Sequence, residues 1–233
     1  MIEIKNISKN FGKLQVLKQI DLSCRKGECI ALIGPNGCGK TTLIKNILGM
    51  VVPSSGQILF NGKDIAKDYL YRRQIGYMPQ IGHYPQNMTI EHIISMIKQL
   101  RSDAGETDEE LLHAFQLPSL YSKRMGTLSG GTTQKVSATL AFLFNPAVLI
   151  LDEPTAGLDP LSSEILKEKI IKEKDKGKLI LITSHLLSEL DDLVTQVIYM
   201  LDGQVQFHYD LAVLQENTGE KKIPKAIANI LKA

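Results

Sequence analysis

The stretch GPNGCGKT, Gly34–Thr41, decides the fold. It fits the pattern G-x-x-x-x-G-K-[ST], and its flanks suit that pattern. The short apolar run ECIALI precedes it, and Thr41 to Gly49 reads as a helix, so strand, loop and helix follow one another. In that setting glycines let backbone N–H groups curl around a phosphate at the positive end of the helix. Gly34, Pro35, Asn36, Gly37, Cys38, Gly39, Lys40, Thr41 and Thr42 are therefore candidate nucleotide-binding residues. Lys40 would reach the β- and γ-phosphates, and the Thr41 hydroxyl would ligate Mg²⁺. The competing reading is a glycine-rich turn that carries an exposed lysine.

A second chemical element lies far along the chain. AVLILDEP, Ala147–Pro154, is a buried-strand type that ends in two acids. A carboxylate at the end of a central strand can hold the water shell of a magnesium ion, which suits Asp152. Its neighbour can orient and polarise an attacking water, which suits Glu153. Strands often end in acids, so the pair gains meaning only beside a phosphate loop. His185 closes the run LILITSH, and Gln80 follows GYMP. Parallel strands deliver their carboxyl ends to one crevice. His185 is then a candidate γ-phosphate contact rather than a solvated surface histidine, and Gln80 a candidate contact to metal or water. His83, His92, His113 and His208 have no such placement and read as structural or exposed.

Composition sets the outer limits. The chain has 233 residues, 43% of them hydrophobic and 22% charged, with a net charge of +2. That length can bury a substantial core. The charge is too balanced to argue for nucleic-acid binding, and no nucleic acid is expected among the partners. No apolar run reaches membrane-spanning length, and MIEIKNISKNFG does not read as a signal peptide. Cys24, Cys29 and Cys38 form neither an even framework nor a C-x-x-C pair, as expected in a reducing cytosol.

Working outward from the loop, residues 2 to 32 read as strands, and GQILFNG as a strand closed by Asn61-Gly62. From Ile81 the pattern turns helical. Ile90, Ile93, Ile94, Ile97 and Leu100 share one helical face, Thr107 and Glu110 stand at capping-box spacing, and a third helix is predicted from Thr132 to about Phe144. DPLSSEILKEKIIKEKDKG reads as a helix with Gly177 at its C-terminal end, and QVIYMLDGQVQFHY as an Asp-Gly hairpin. KKIPKAIANILKA reads as a docked or frayed terminal helix. The alternation of strands and helices predicts an α/β sheet. Three parts are expected: an α/β core with a β-subdomain from 1–80 and 146–208, a helical subdomain from 81–145, and a tail from 209–233.

One stretch resists this scheme. In LSGGTTQK, Leu128–Lys135, a serine and two glycines at a helix start suggest a phosphate-gripping turn, but a grip made only of Ser-Gly-Gly has no lysine and no metal ligand of its own. It is either an ordinary helix start or half of a site completed elsewhere.

Taken in order, GPNGCGKTT, GYMPQ, LSGG, AVLILDEP, AGLD and SH resemble the motif set of the ATP-binding cassette (ABC) ATPases, over about residues 1–208. The resemblance implies a P-loop NTPase with a mixed-sheet RecA-like core, an N-terminal antiparallel β-subdomain and an inserted helical subdomain. It further implies that the chain hydrolyses ATP with Mg²⁺. Phe11, before Gly12, would stack on adenine; Gln80 would be the Q-loop glutamine, Asp159 the D-loop residue and His185 the switch histidine. In this family the signature turn of one cassette presses on the γ-phosphate held by another. Ser129, Gly130 and Gly131 would then serve a second copy, which implies a head-to-tail homodimer with two ATP molecules in its interface. A transmembrane permease would be the other partner, with the cassette cytoplasmic at the inner face of the plasma membrane. Thr132 departs from the family, which usually has Gln there, and Thr133 stands where a basic residue is common.

A closer resemblance is carried by LSGGTTQKVSATLAFLFNPAVLILDEPTAGLDP and GYMPQIGHYPQNMTIEHIISMIKQLR. Both are similar to the ATP-binding subunits of the copper-processing ABC complex that matures nitrous oxide reductase. Two other functions compete with transport. One is a soluble ABC ATPase, for example in iron–sulfur cluster assembly. The other is a single-site P-loop kinase with no need to dimerise.

Overall fold

The computed structural model describes residues 1–184 and 190–231. Strand β1 (Ile2–Phe11) turns at Gly12 into β2 (Leu14–Cys24), and β3 (Cys29–Ile33) leads through the phosphate loop into α1 (Lys40–Ile47). Next come β4 (Ser55–Phe60) and β5 (Lys63–Asp64), then β6 (Ile75–Met78). The helices α2 (Ile90–Leu100), α3 (Glu110–Ala114) and α4 (Gly130–Phe142) follow. The chain continues through β7 (Val148–Asp152), α5 (Pro160–Asp175), β8 (Leu179–Thr183), β9 (Gln196–Leu201) and β10 (Gln204–Asp210), and ends with α6 (Leu211–Thr218) and α7 (Ile223–Ile230).

These strands form two sheets. The first is antiparallel in the order β2-β1-β4-β5. The second runs β10-β9-β3-β8-β7-β6, parallel from β9 to β6, with β10 antiparallel at its edge. This mixed α/β arrangement is the P-loop NTPase fold that the sequence predicted.

The second sheet is covered on both faces, which is why its central strands are apolar throughout rather than alternating. Ala31, Leu149, Leu151, Ile180 and Ile182 join a core built with α2 to α5 and α7. Their strand neighbours Ile30, Leu32, Ile150 and Leu181 point the other way, into a core shared with α1 and the antiparallel sheet. Both hairpins have residues of positive φ in their turns, Asn61 (49°) with Gly62 (77°) and Asp202 (49°) with Gly203 (78°). That is the backbone such two-residue loops require.

Two local expectations need correction. The Thr107–Glu110 capping box does not form. The N-cap of α3 is Glu109, without a side-chain cap bond, and Thr107 donates to Glu109 Oε1. Glu110 is drawn instead to Lys169 and Lys172 of α5, because charge-assisted bonds outweigh a neutral cap. The apolar face of α2 fades toward its end, with Ile90, Ile93 and Ile94 buried but Leu100 exposed. Strand β10 ends at Asp210, and the tail beyond it, expected as a docked or frayed helix, is docked. Leu214, Ile223, Ala226 and Ile227 are buried in the core.

Candidate functional site

The phosphate loop leaves the carboxyl end of β3 and enters α1 with no side-chain cap on the helix. The first intrahelical bond runs from Leu43 N–H to Gly39 O at 2.9 Å. The earlier N–H groups of α1 therefore point out of the helix start, where an anion is favoured. Gly39 has φ 108°, and a Cβ there would meet Leu17 Cδ2 at 2.8 Å and Val16 O at 3.0 Å. Only glycine can close the loop against β2 in this way. Lys40 folds back across the loop and donates to Gly34 O at 2.7 Å and Pro35 O at 3.2 Å. Neutral carbonyls hold this ammonium, and a phosphate oxygen would be a stronger acceptor.

Two other parallel strands and one strand of the antiparallel sheet open onto the same cleft of about 470 Å³. Besides the loop, it is lined by Gln80 beyond β6, by Asp152 and Glu153 at the end of β7, and by Val16 on β2. Asp152 is buried, at 4% exposure, and its Oδ1 accepts from Thr183 Oγ1 on β8 at 2.5 Å. Glu153 has a left-handed backbone, φ 53°. Such a residue costs on the order of 1 kcal/mol and persists where surrounding bonds hold it. Its N–H donates to both Thr183 Oγ1 (3.0 Å) and Thr183 O (3.1 Å). Burial pushes the Tyr77 phenol up to about 12, with the nearby Asp152 charge adding to it, so the tyrosine stays neutral beside the carboxylate.

This donor set fits a triphosphate with a divalent cation. It offers helix-start N–H groups and one ammonium for the phosphates, then a buried carboxylate, the Thr41 hydroxyl and the Gln80 amide for a hard metal ion. Among the described residues, no cluster of three or more His, Cys, Asp or Glu could hold a metal by itself, and Cys24, Cys29 and Cys38 are free and buried.

The remaining candidates divide. Phe11 is 49% exposed at the end of β1, with Lys9 Nζ 5.0 Å from its ring centroid, and it does not line the cleft. Ser129 is the N-cap of α4; its Oγ accepts from Thr132 N–H at 3.2 Å and shares a hydrogen bond with Thr132 Oγ1 at 2.9 Å. Ser129, Gly130 and Gly131 lie outside the cleft lining. Asp159 caps α5 by accepting from Ser162 N–H, and it pairs with Lys135 at 2.8 Å. His185 falls outside the described residues. Sequence reasoning missed Val16, Thr183, Gln134 and Lys135. Gln134 is buried on α4 and donates from Nε2 to the Gln80 carbonyl at 2.8 Å.

A phosphate loop after β3 and two carboxylates at the end of β7, parallel strands of one sheet with β8 between them, place the chain among the P-loop nucleoside triphosphatases. Comparison with known proteins narrows the class. The profile of the family described as "ABC transporter" matches residues 17–156. The lantibiotic transport ATP-binding protein SrtF of Streptococcus pyogenes is 32% identical over 88% of this chain and 89% of its own. The Nod factor export ATP-binding protein I of a Rhizobium strain is 31% identical over 87% of this chain and 68% of its own. A solved ATP-binding subunit of an ABC transporter superposes with a TM-score of 0.90 at 29% identity, covering 99% of both chains. The chain belongs to the ABC transporter family as an ATP-binding cassette, and it is an ATP hydrolase of that type.

Proposed function

We propose that two copies of this chain close head-to-tail around two ATP molecules and that this cycle powers a membrane permease. The observation that carries the reading is the division of the phosphate-contacting groups. Lys40, Gln80, Asp152 and Glu153 share one cleft, whereas Ser129 stands exposed at the start of α4, outside the lining of that cleft. A second copy supplies the missing half.

In this reading Gly34 to Thr42 grip the phosphates, and Phe11 with Val16 takes the adenine. The second copy's Ser129 hydroxyl and the N–H groups of its Gly130 and Gly131 donate to the γ-phosphate. Magnesium, held through Thr41, Gln80 and Asp152, supplies charge neutralisation on the phosphate oxygens when bound. Glu153 accepts the proton of a water that attacks the γ-phosphorus. The bond from that phosphorus to the bridging oxygen breaks, and ADP leaves with the bonding pair. His185 contacts the γ-phosphate, and Asp159 with its neighbours lines the junction between copies. The reading divides the chain into a core of 1–80 and 146–208, a helical subdomain of 81–145 and a tail of 209–233.

Support for a permease comes from exposed apolar side chains along a segment that also carries arginines. Tyr71 Oη donates to Ile47 O at 3.0 Å, and Arg101 Nη2 to Arg73 O at 2.7 Å, so the ends of α1 and α2 meet through one segment. Around it Met50, Tyr69 and Leu100 are each more than 60% exposed. Among the described residues no helix is long and apolar enough to cross a membrane. With a permease as partner, the cassette in this reading sits in the cytoplasm at the inner face of the plasma membrane.

The matched relatives are named for different cargoes at similar identity, so shared ATP chemistry does not set the cargo. For cargo we propose copper processing for nitrous oxide reductase, on the resemblance of the signature and Q-loop stretches. Deleting the gene in a nitrous-oxide-respiring host should leave that reductase copper-deficient. Co-purification of a cluster-assembly protein in place of a permease would favour a soluble iron–sulfur role.

The sandwich is tested with Glu153→Gln. Mg-ATP should convert this variant to a dimer in size-exclusion chromatography, with hydrolysis nearly abolished. A variant that stays monomeric with Mg-ATP at every protein concentration would exclude the model.

A further inference from the structure

We propose that Thr183 is a positioning residue for the two carboxylates of the ATPase site, a role that rests on the reading of Asp152 and Glu153 given above. Its side chain is 1% exposed, on β8, directly across the parallel ladder from Asp152. Two bonds converge on its single hydroxyl. An N–H can only donate, so the Glu153 N–H at 3.0 Å requires a lone pair of Thr183 Oγ1. The hydroxyl proton is then directed to Asp152 Oδ1, 2.5 Å away.

Both bonds have consequences for the site. Donation to Oδ1 restrains the rotation of the Asp152 carboxylate, a group that lines the cleft, and leaves Oδ2 out of that bond. Acceptance from the Glu153 N–H helps to hold that residue at φ 53°, a backbone a glutamate adopts only under restraint. Valine has nearly the same shape and would fill the same space in β8, whose other residues, Leu179 to Ile182, are all apolar and buried. Packing alone therefore does not call for a hydroxyl here. A group that orients both the metal-side carboxylate and the water-activating glutamate does.

The test compares Thr183→Val, which removes the hydroxyl at constant shape, with Thr183→Ser, which keeps it. ATP hydrolysis, thermal melting and equilibrium binding of a fluorescent ATP analogue with Mg²⁺ or EDTA are measured for each, alongside Glu153→Gln. Thr183→Val should lose roughly 10- to 100-fold in kcat, the size of effect seen when groups supporting a metal ligand are removed. Its gain in nucleotide affinity on adding Mg²⁺ should shrink by about tenfold while affinity in EDTA stays unchanged. Thr183→Ser should stay within about threefold of the parent in both. Should Thr183→Val melt below the assay temperature, Thr183→Ala is read against the same expectations.

The proposal is overturned if the hydroxyl-free variant keeps parental kcat and Mg²⁺ response, or if Thr183→Ser loses as much as Thr183→Val. It is equally overturned if affinity in EDTA falls in step with affinity in Mg²⁺. If Glu153→Gln hydrolyses ATP at the parental rate, the underlying reading of the carboxylates fails instead, and the two failures are separately visible.

Discussion

Lys135 Nζ lies 2.8 Å from Asp159 Oδ2, so an ion pair joins the signature helix α4 to the segment that follows β7. One turn earlier, Gly131 sits so close to Gly157 that an added Cβ would come within 2.7 Å of the Gly157 carbonyl oxygen. Asp159 also caps α5. The hydrogen bond from Lys135, followed by those from Ser162, holds its carboxyl well below the usual range. Signature turn, D-loop segment and α5 are thereby linked within one protomer. Lys135→Ala should cost little stability, since solvent screens an ion pair made to an exposed carboxylate. Hydrolysis should nonetheless fall several-fold. Comparing thermal melts with steady-state turnover separates the two effects.

The two signature glycines should respond in opposite ways. A Cβ at Gly131 meets backbone, whereas one at Gly130 meets nothing within 4 Å. Gly131→Ala should destabilise the fold by roughly 1–3 kcal/mol, the usual cost of overpacking. Gly130→Ala should leave the melting temperature unchanged or slightly raised, because its own protomer does not need the missing side chain. Its turnover should still collapse if a second copy's phosphate approaches that backbone. A Gly130→Ala variant with full ATPase activity would remove the main reason for placing a phosphate there.

Gln134 ties the same helix to the Q-loop through the Gln80 carbonyl, at 2.8 Å. Gln134→Leu keeps the bulk and removes the donor, which leaves a carbonyl short of its partner at a cost of about 1–3 kcal/mol. Lys40 and the phosphate loop are untouched, so ATP affinity should hold while kcat drops. A binding isotherm and a turnover assay on the same preparation decide the point. Equal losses in both would mean that Gln134 supports the cleft as a whole.

The phosphate loop and the Asp152–Glu153 pair were legible because each is contiguous and set by short-range rules. The Asn61-Gly62 and Asp202-Gly203 turns were legible for the same reason. Thr183 was not, because its meaning depends on β8 lying beside β7 in a register that places it opposite Asp152. Strand order is a long-range property that no single stretch encodes. Gln134 was missed likewise, since its partner is distant in sequence. The Thr107–Glu110 capping box failed for the converse reason: the local signal was present, but two lysines on α5 claimed the glutamate. Helix α6 opens with four consecutive apolar residues, Leu211 to Leu214, which show no helical spacing, so the sequence did not register it as a helix.

Those lysines belong to a buried charge cluster that predicts how the fold responds to acid. Lys169 is 1% exposed and contacts Asp108, Glu110 and Glu173, while Glu173 is fully buried and also meets Lys176 and Lys178. Asp108 and Glu110 lie at the start of α3, so the cluster fastens α3 to α5. Burial alone would raise the Glu173 carboxyl, but hydrogen bonds from Lys176, Lys178 and Lys169 bring it down to about 2. A carboxyl held that low contributes stability at pH values above its unfolded value near 4.5, and that contribution is lost as pH falls from there to about 2. Glu173→Gln removes the carboxylate that the largely buried Lys178 pairs with, while Lys169 keeps Asp108 and Glu110, and at neutral pH it should cost roughly 3–5 kcal/mol. For a chain of this size that is a fall in melting temperature on the order of 10 °C. The gap between parent and variant should then narrow as the pH drops below 4.5, because the parent alone loses the ionised glutamate. Melting curves recorded from pH 7 to pH 2.5 check both the size and the sign. A gap that stays constant across that range would mean that the cluster contributes packing rather than charge.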